Sequence, residues 1–167
     1  VQLRVLGGAT APDWAKAIGG APIELPDGRT VGRWWTSGYR AAWQATQAAL
    51  AGKYDDARLV GTIAVTSCAI ADEPFAGYDD ATRGALAAAG YTDAQQRACL
   101  SGALADYAAW TQTPAEYPFA AFTAADGTTD ASFTVSVMPG CTDATRCVLA
   151  LHDVGPRSAS DGGPVHA

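Results

Sequence analysis

Two hydrophobic periods alternate along this chain, and their order outlines the architecture. The run Val1-Gln-Leu-Arg-Val-Leu6 has the alternation of a short strand, stopped by Gly7-Gly8 before the loop Ala-Thr-Ala-Pro-Asp-Trp14. The glycine pair leaves room for backbone to approach a ligand. Residues 19–33 are rich in glycine and proline, show no period, and read as one long loop. From Ser37 the period turns helical. Tyr39, Trp43, Leu50 and Tyr54 fall on one face and Gly52 is placed to break the last turn, which predicts a helix over 38–52. Residues 60–67 follow as a strand that is apolar on both faces at its centre, as strands of helix-covered parallel sheets are.

A helix is predicted over 80–89, between Asp80 and Gly90. Another opens with the capping-box form Thr92-Asp-Ala-Gln95 and carries Leu100, Ala103, Leu104 and Tyr107 on one stripe to about Trp110. Tyr117–Phe122 reads as a strand with Pro118 near its beginning, where a missing N–H is tolerable. Ser132–Met138 is ambiguous: Phe133, Val135 and Val137 alternate, yet the order of elements calls for a crossover helix. Arg146–His152 is an apolar strand, and a Gly-, Pro- and Ser-rich tail follows. The expected organisation is therefore one α/β domain over 1–154 with a tail over 155–167.

Strands alternating with helices indicate a parallel sheet, either a (β/α) barrel or a doubly wound fold. Gly7-Gly-Ala-Thr-Ala-Pro12 does not fit a dinucleotide-binding turn, and neither a Walker-type phosphate loop nor a Gly-x-Ser-x-Gly elbow is present. A barrel remains. Polar or aromatic residues follow its strands, as barrel active sites require: Asp13 and Trp14, then Asp72 and Glu73, then His152 and Asp153. Pro74 cannot continue a ladder, so the acidic pair lies on the loop leaving the 60–67 strand.

Composition narrows the partners. The net charge of -6 and the scattered Lys and Arg residues argue against a nucleic-acid partner. No run approaches the roughly 18 consecutive apolar residues of a spanning helix, so no membrane partner is expected. The apolar run beginning at Val1, with neither an initiator Met nor a leader before it, reads as a piece of a longer protein. Cys141 and Cys147 enclose a short loop suited to a disulfide in an exported protein. Cys68 and Cys99, isolated in the chain, read as small buried hydrophobes. A zinc site built from Cys141, Cys147 and His152 lacks the close pairs of structural sites, so neither metal nor cofactor is expected.

Three segments carry a resemblance: the Leu-Arg-Val-Leu-Gly-Gly-Ala-Thr-Ala-Pro-Asp-Trp start, the Tyr-Arg-Ala-Ala-Trp helix ending in Lys-Tyr-Asp-Asp-Ala-Arg-Leu-Val, and the strand leading to Asp-Glu-Pro-Phe. Together they resemble the middle of a (β/α)8 TIM-barrel glycoside hydrolase of the broad clan of β-galactosidases and cellulases. In that clan a carboxylate leaving the fourth strand, commonly in an Asn-Glu-Pro context, serves as general acid/base. The resemblance implies a partial barrel in which Val1, Val60, Tyr117 and Cys147 begin strands three to six. It implies a second carboxylate from a seventh strand, beyond Ala167. Asp72 stands where the clan has Asn, and an ionised Asp accepts hydrogen bonds where Asn donates one.

Glycoside hydrolysis needs one carboxyl group to protonate the leaving oxygen and another to attack or to activate water, about 5 to 5.5 Å apart for retention. The resemblance makes Glu73 the acid/base, and burial or the Asp72 charge would raise its pKa for that role. An acidic pair is otherwise a solvated loop. Trp14 is the best sugar-stacking platform, and one of Trp34 and Trp35 faces the ligand while the other packs under the following helix, with Trp35 taken as the ligand-facing member. Trp43 and Trp110 have core spacing. Asp13, Asp72, His152 and Asp153 are candidate sugar contacts, although Asp13 equally suits a helix cap and His152 a bond to a backbone carbonyl. The expected activity is retaining cleavage of a glycosidic bond by a secreted protein. The competing reading is a barrel relative that binds carbohydrate, or is structural, without catalysis.

Overall fold

Residues 1–70, 78–118, 120–142 and 146–150 are described by the computed structural model, a mixed α/β arrangement around four parallel strands. These are β1 (Gln2–Leu3), β4 (Thr62–Ala64), β5 (Ala115–Pro118) and β8 (Cys147–Ala150), adjacent in chain order. Gln2 pairs with Thr62, Ala64 with Glu116 and Glu116 with Val148, so these residues share one face of the pleat. On that face Gln2 and Val148 are exposed, Thr62 and Glu116 half-buried, and Ala64 fully buried. The opposite face, with Ile63, Ala115 and Tyr117, is buried in the core. Helices cover it, and the Tyr117 hydroxyl donates to the Leu100 carbonyl at 3.0 Å.

The region expected to be one loop, 19–33, contains a hairpin, β2 (Ile23–Glu24) and β3 (Thr30–Val31), preceded by a short helix α1 (Asp13–Lys16). Its turn uses Gly28 at φ 81°, and Ile23, Leu25 and Val31 enter the core, a burial that so short an alternation does not announce in the sequence. Helix α2 (Ser37–Tyr54) passes through Gly52 rather than breaking there. Its buried stripe is Tyr39, Trp43, Gln47 and Ala51, with Leu50 and Tyr54 at the margin. Gln47 is fully buried in this stripe, where its side-chain oxygen accepts from the Trp110 indole N–H at 3.0 Å.

Helix α3 (Asp80–Ala88) is capped by Asp79, whose carboxylate accepts from the Thr82 N–H. Helix α4 (Asp93–Gly102) is capped by Thr92, which accepts from the Gln95 N–H as the capping-box pattern predicts. The single helix expected as far as Trp110 stops at Gly102 and continues as a 3-10 turn, Ala103–Tyr107. At Gly102 the backbone carbonyl accepts from Arg40 at 2.6 Å, and a β-carbon there would lie 2.4 Å from the guanidinium.

The strand expected over 117–122 is divided. Pro118 ends β5 instead of opening a strand, while β6 (Phe122–Thr123) turns through Gly127 to pair antiparallel with β7 (Thr129–Asp130). Ser132–Met138 resolves as helix: α5 (Ala131–Val137) is capped by Asp130. Arg97 holds this unit to α4, forming an ion pair with Asp130 at 2.8 Å and lying over the Phe122 and Phe133 rings at 4.3 and 4.6 Å.

Candidate functional site

The long connection after β1 and the chain after β4 meet at the C-terminal ends of their strands. Gly8, at φ 50°, lies directly against Ile70, where a β-carbon would come within 2.1 Å of the Ile70 carbonyl oxygen. Ala9 N–H donates to that oxygen at 2.8 Å. Gly8 thus serves a contact between two loops, while a β-carbon at Gly7 would meet the Trp43 ring at 2.9 Å. Below this contact Thr66 N–H donates to the Tyr107 hydroxyl at 2.9 Å, which anchors the strand end to the helical layer.

Cys68 and Cys99 are joined by a disulfide, which corrects the expectation of two isolated buried thiols. Neither cysteine has a sequence neighbour to reveal the bridge; the crossover carries Cys99 back over Cys68 from 31 residues away. Cys141–Cys147 is also bridged, as its short loop predicted, and both thiols are thereby withdrawn from the zinc reading. Among the described residues no three or more His, Cys, Asp or Glu side chains converge as metal ligands, and no helix is long and apolar enough to cross a membrane.

An aromatic cluster lies beside the bridge. Trp34 is buried and Trp35 half-buried, their rings edge-on at 5.1 Å. Tyr91 packs against Trp34 and Trp35 at 5.7 and 5.2 Å, and Tyr78 against Trp34 at 6.4 Å. Burial pushes the Tyr78 hydroxyl far above the ordinary phenol range. It does the same for Tyr91, reinforced by the nearby Tyr78 and Asp93. Both phenols therefore stay neutral near pH 7 and pack as aromatic rings in the cluster.

Gln96 ties the cluster to β4. It is 2% exposed, its side-chain oxygen accepts from the Trp34 indole N–H at 2.8 Å, and its amide nitrogen donates to the Cys68 carbonyl at 2.7 Å. Sequence reasoning missed Gln96, although it shares a helical stripe with Cys99, Leu100, Ala103 and Tyr107. A polar residue on an apolar stripe was the available signal.

Of the predicted site residues, Trp35 belongs to this cluster and is the more exposed member of its pair. Trp14 is 65% exposed and borders a separate cleft of about 160 Å³ with Leu6, Ile18, Tyr39 and Trp43. Asp13 is exposed in the first turn of α1, with Pro12 rather than a side-chain acceptor at the cap. Its charge suits the helix N-terminus. Asp72, Glu73, His152 and Asp153 lie outside the described residues. The chain that leads to Asp72 and Glu73 is described as far as Ile70 and resumes at Tyr78, so the two ends flanking the acidic pair are set against Gly8–Ala9 and Trp34. Comparison with protein-family models, with curated proteins and with solved structures returned no match.

Proposed function

We propose that this chain supplies strands three to six of a secreted (β/α)8-type glycoside hydrolase, with Glu73 as general acid/base on a carbohydrate substrate. The strand order carries the reading. A doubly wound sheet reverses direction at a switch point and places helices on both faces. Here four parallel strands succeed one another in chain order, with one face under helices and the other carrying Gln2, Thr62 and Glu116. A barrel wall has that sidedness, the helices lying outside and the side chains of the other face filling the interior. By the resemblance, Glu73 follows the second of these strands in sequence, and Trp35, half-buried in the aromatic cluster, is the candidate stacking surface. Two disulfides are in keeping with an oxidising compartment.

Asp72 in the position of the clan's Asn favours the second reading, a barrel that binds carbohydrate without cleaving it. The two are separated by leaving-group dependence in the full-length protein. Glu73→Gln is expected to lower kcat/KM on an unactivated oligosaccharide by roughly 10²- to 10⁴-fold, the usual worth of general acid catalysis. It should spare hydrolysis of a dinitrophenyl glycoside much more, since that leaving group needs little protonation. Saturable oligosaccharide binding with no turnover by the wild type would establish the second reading, and an equal loss on both substrates would remove Glu73 from the acid role.

A further inference from the structure

We propose that Gln96 is a positioning residue that holds the Trp34–Trp35 loop in register with the end of β4. The two loops belong to different parts of the connection over the sheet, and one buried side chain binds both. An indole N–H can only donate and a carbonyl can only accept, so the amide orientation is dictated: Oε1 faces Trp34 at 2.8 Å and Nε2 faces Cys68 at 2.7 Å. Cys99, three residues along the same helical face, bridges Cys68 covalently. Cys68 is a non-glycine residue in the left-handed region, at φ 68°, a conformation that persists only where its surroundings impose it.

The two anchors act on different atoms. The disulfide restrains the Cys68 side chain, whereas Gln96 restrains its carbonyl and therefore the peptide plane that directs the chain to Ala69. Ile70 is then met by Ala9 N–H at 2.8 Å. On the other side Trp34 carries the edge contacts to Trp35 and Tyr91, so the orientation of the aromatic cluster is referred to the same amide. Removing Gln96 would leave a buried indole donor and a buried carbonyl unpartnered in two separate loops at once. The catalytic consequence rests on the glycosidase reading, because Glu73 follows Cys68 by five residues; the coupling of the loops does not.

The test is hydrogen–deuterium exchange of peptides covering 33–39 and 65–70 in the full-length protein, for Gln96→Met, Trp34→Phe and the double variant. Met retains most of the volume and removes both bonds; Phe keeps an aromatic ring but removes the indole donor together with the fused second ring. Gln96→Met should raise exchange at least tenfold in both segments, Trp34→Phe only in 33–39, and the double variant no further than Gln96→Met. Wild-type exchange in both segments of Gln96→Met overturns the proposal. So does an increase no larger there than in α2 and β5, which would mean general destabilisation. In the glycosidase assay Gln96→Met should lower kcat at least tenfold with KM within twofold. A wild type without glycosidase activity would defeat the functional reading alone, and the exchange result would still decide the role of Gln96.

Discussion

Asp55, just beyond α2, organises a turn far away in sequence. Its carboxylate accepts from the backbone N–H groups of Thr111, Gln112 and Thr113 at 2.7–3.0 Å and from the Thr111 hydroxyl at 2.9 Å. Burial by itself would raise its pKa, but the bonds from Thr113, Thr111 and Gln112 outweigh it and hold the group below the ordinary carboxylate value. Asp130 is lowered to about 2 by the Ser132 hydroxyl, the Phe133 N–H and Arg97. A depressed carboxylate stabilises the fold above its unfolded pKa, and that contribution is lost as pH falls through the folded value. Stability should therefore decline from about pH 4 to about pH 2, and Asp130→Asn should flatten that limb in pH-dependent urea unfolding. Asp106 is the costlier carboxylate to lose: its side chain is 2% exposed and accepts from Arg40 at 2.7 Å and Gln44 at 2.8 Å. Asp106→Ala should destabilise by roughly 1–3 kcal/mol in the same assay, because Arg40 and Gln44 lose their shared acceptor, while Asp106→Asn should cost less. Caps such as Thr92 were legible because their partners lie within one helical turn. Gln47, Gln96 and Asp106 were not, because Trp110, Trp34 and Arg40 reach them only after the chain has folded.

Among the elements, the periods located α2, α3 and α4 and the strands β1, β4 and β8, whereas the hairpin strands were not read. Helix α2 extends beyond its predicted end because glycine only weakens a helix, by about 1 kcal/mol relative to alanine, and the Trp43 and Gln47 side of the helix is buried. The 3-10 continuation after α4 begins where Arg40, 62 positions away, donates to the Gly102 carbonyl. The β2–β3 and β6–β7 hairpins pair only two residues per strand, too few for a period to show. The bridges act at this scale as well. On the loop-entropy account the Cys68–Cys99 loop, with a separation of 31, is worth about 3.7 kcal/mol, and the Cys141–Cys147 loop, with a separation of 6, about 2.4 kcal/mol. Paired Ser substitutions should therefore lower the urea midpoint more at 68/99 than at 141/147, and the reverse order would show that strain or residual unfolded structure governs these loops.

At the scale of the whole molecule, the local sequence determined where helices begin, that strands and helices alternate, and that an acidic pair ahead of proline follows an apolar strand. Those features depend on neighbours within a few residues, and one chain suffices to display them. Tertiary structure alone decided the register of β1, β4, β5 and β8, the burial of the two faces of their sheet, and the pairing of Cys68 with Cys99. It also decided the joining of Trp34 to Cys68 through Gln96. Each is a contact between residues distant along the chain, whose closure entropy is offset only when the surrounding core forms, so no local pattern records it. The sequence marked the strand that leads to Glu73; the packing of α4 determined how that strand end is held.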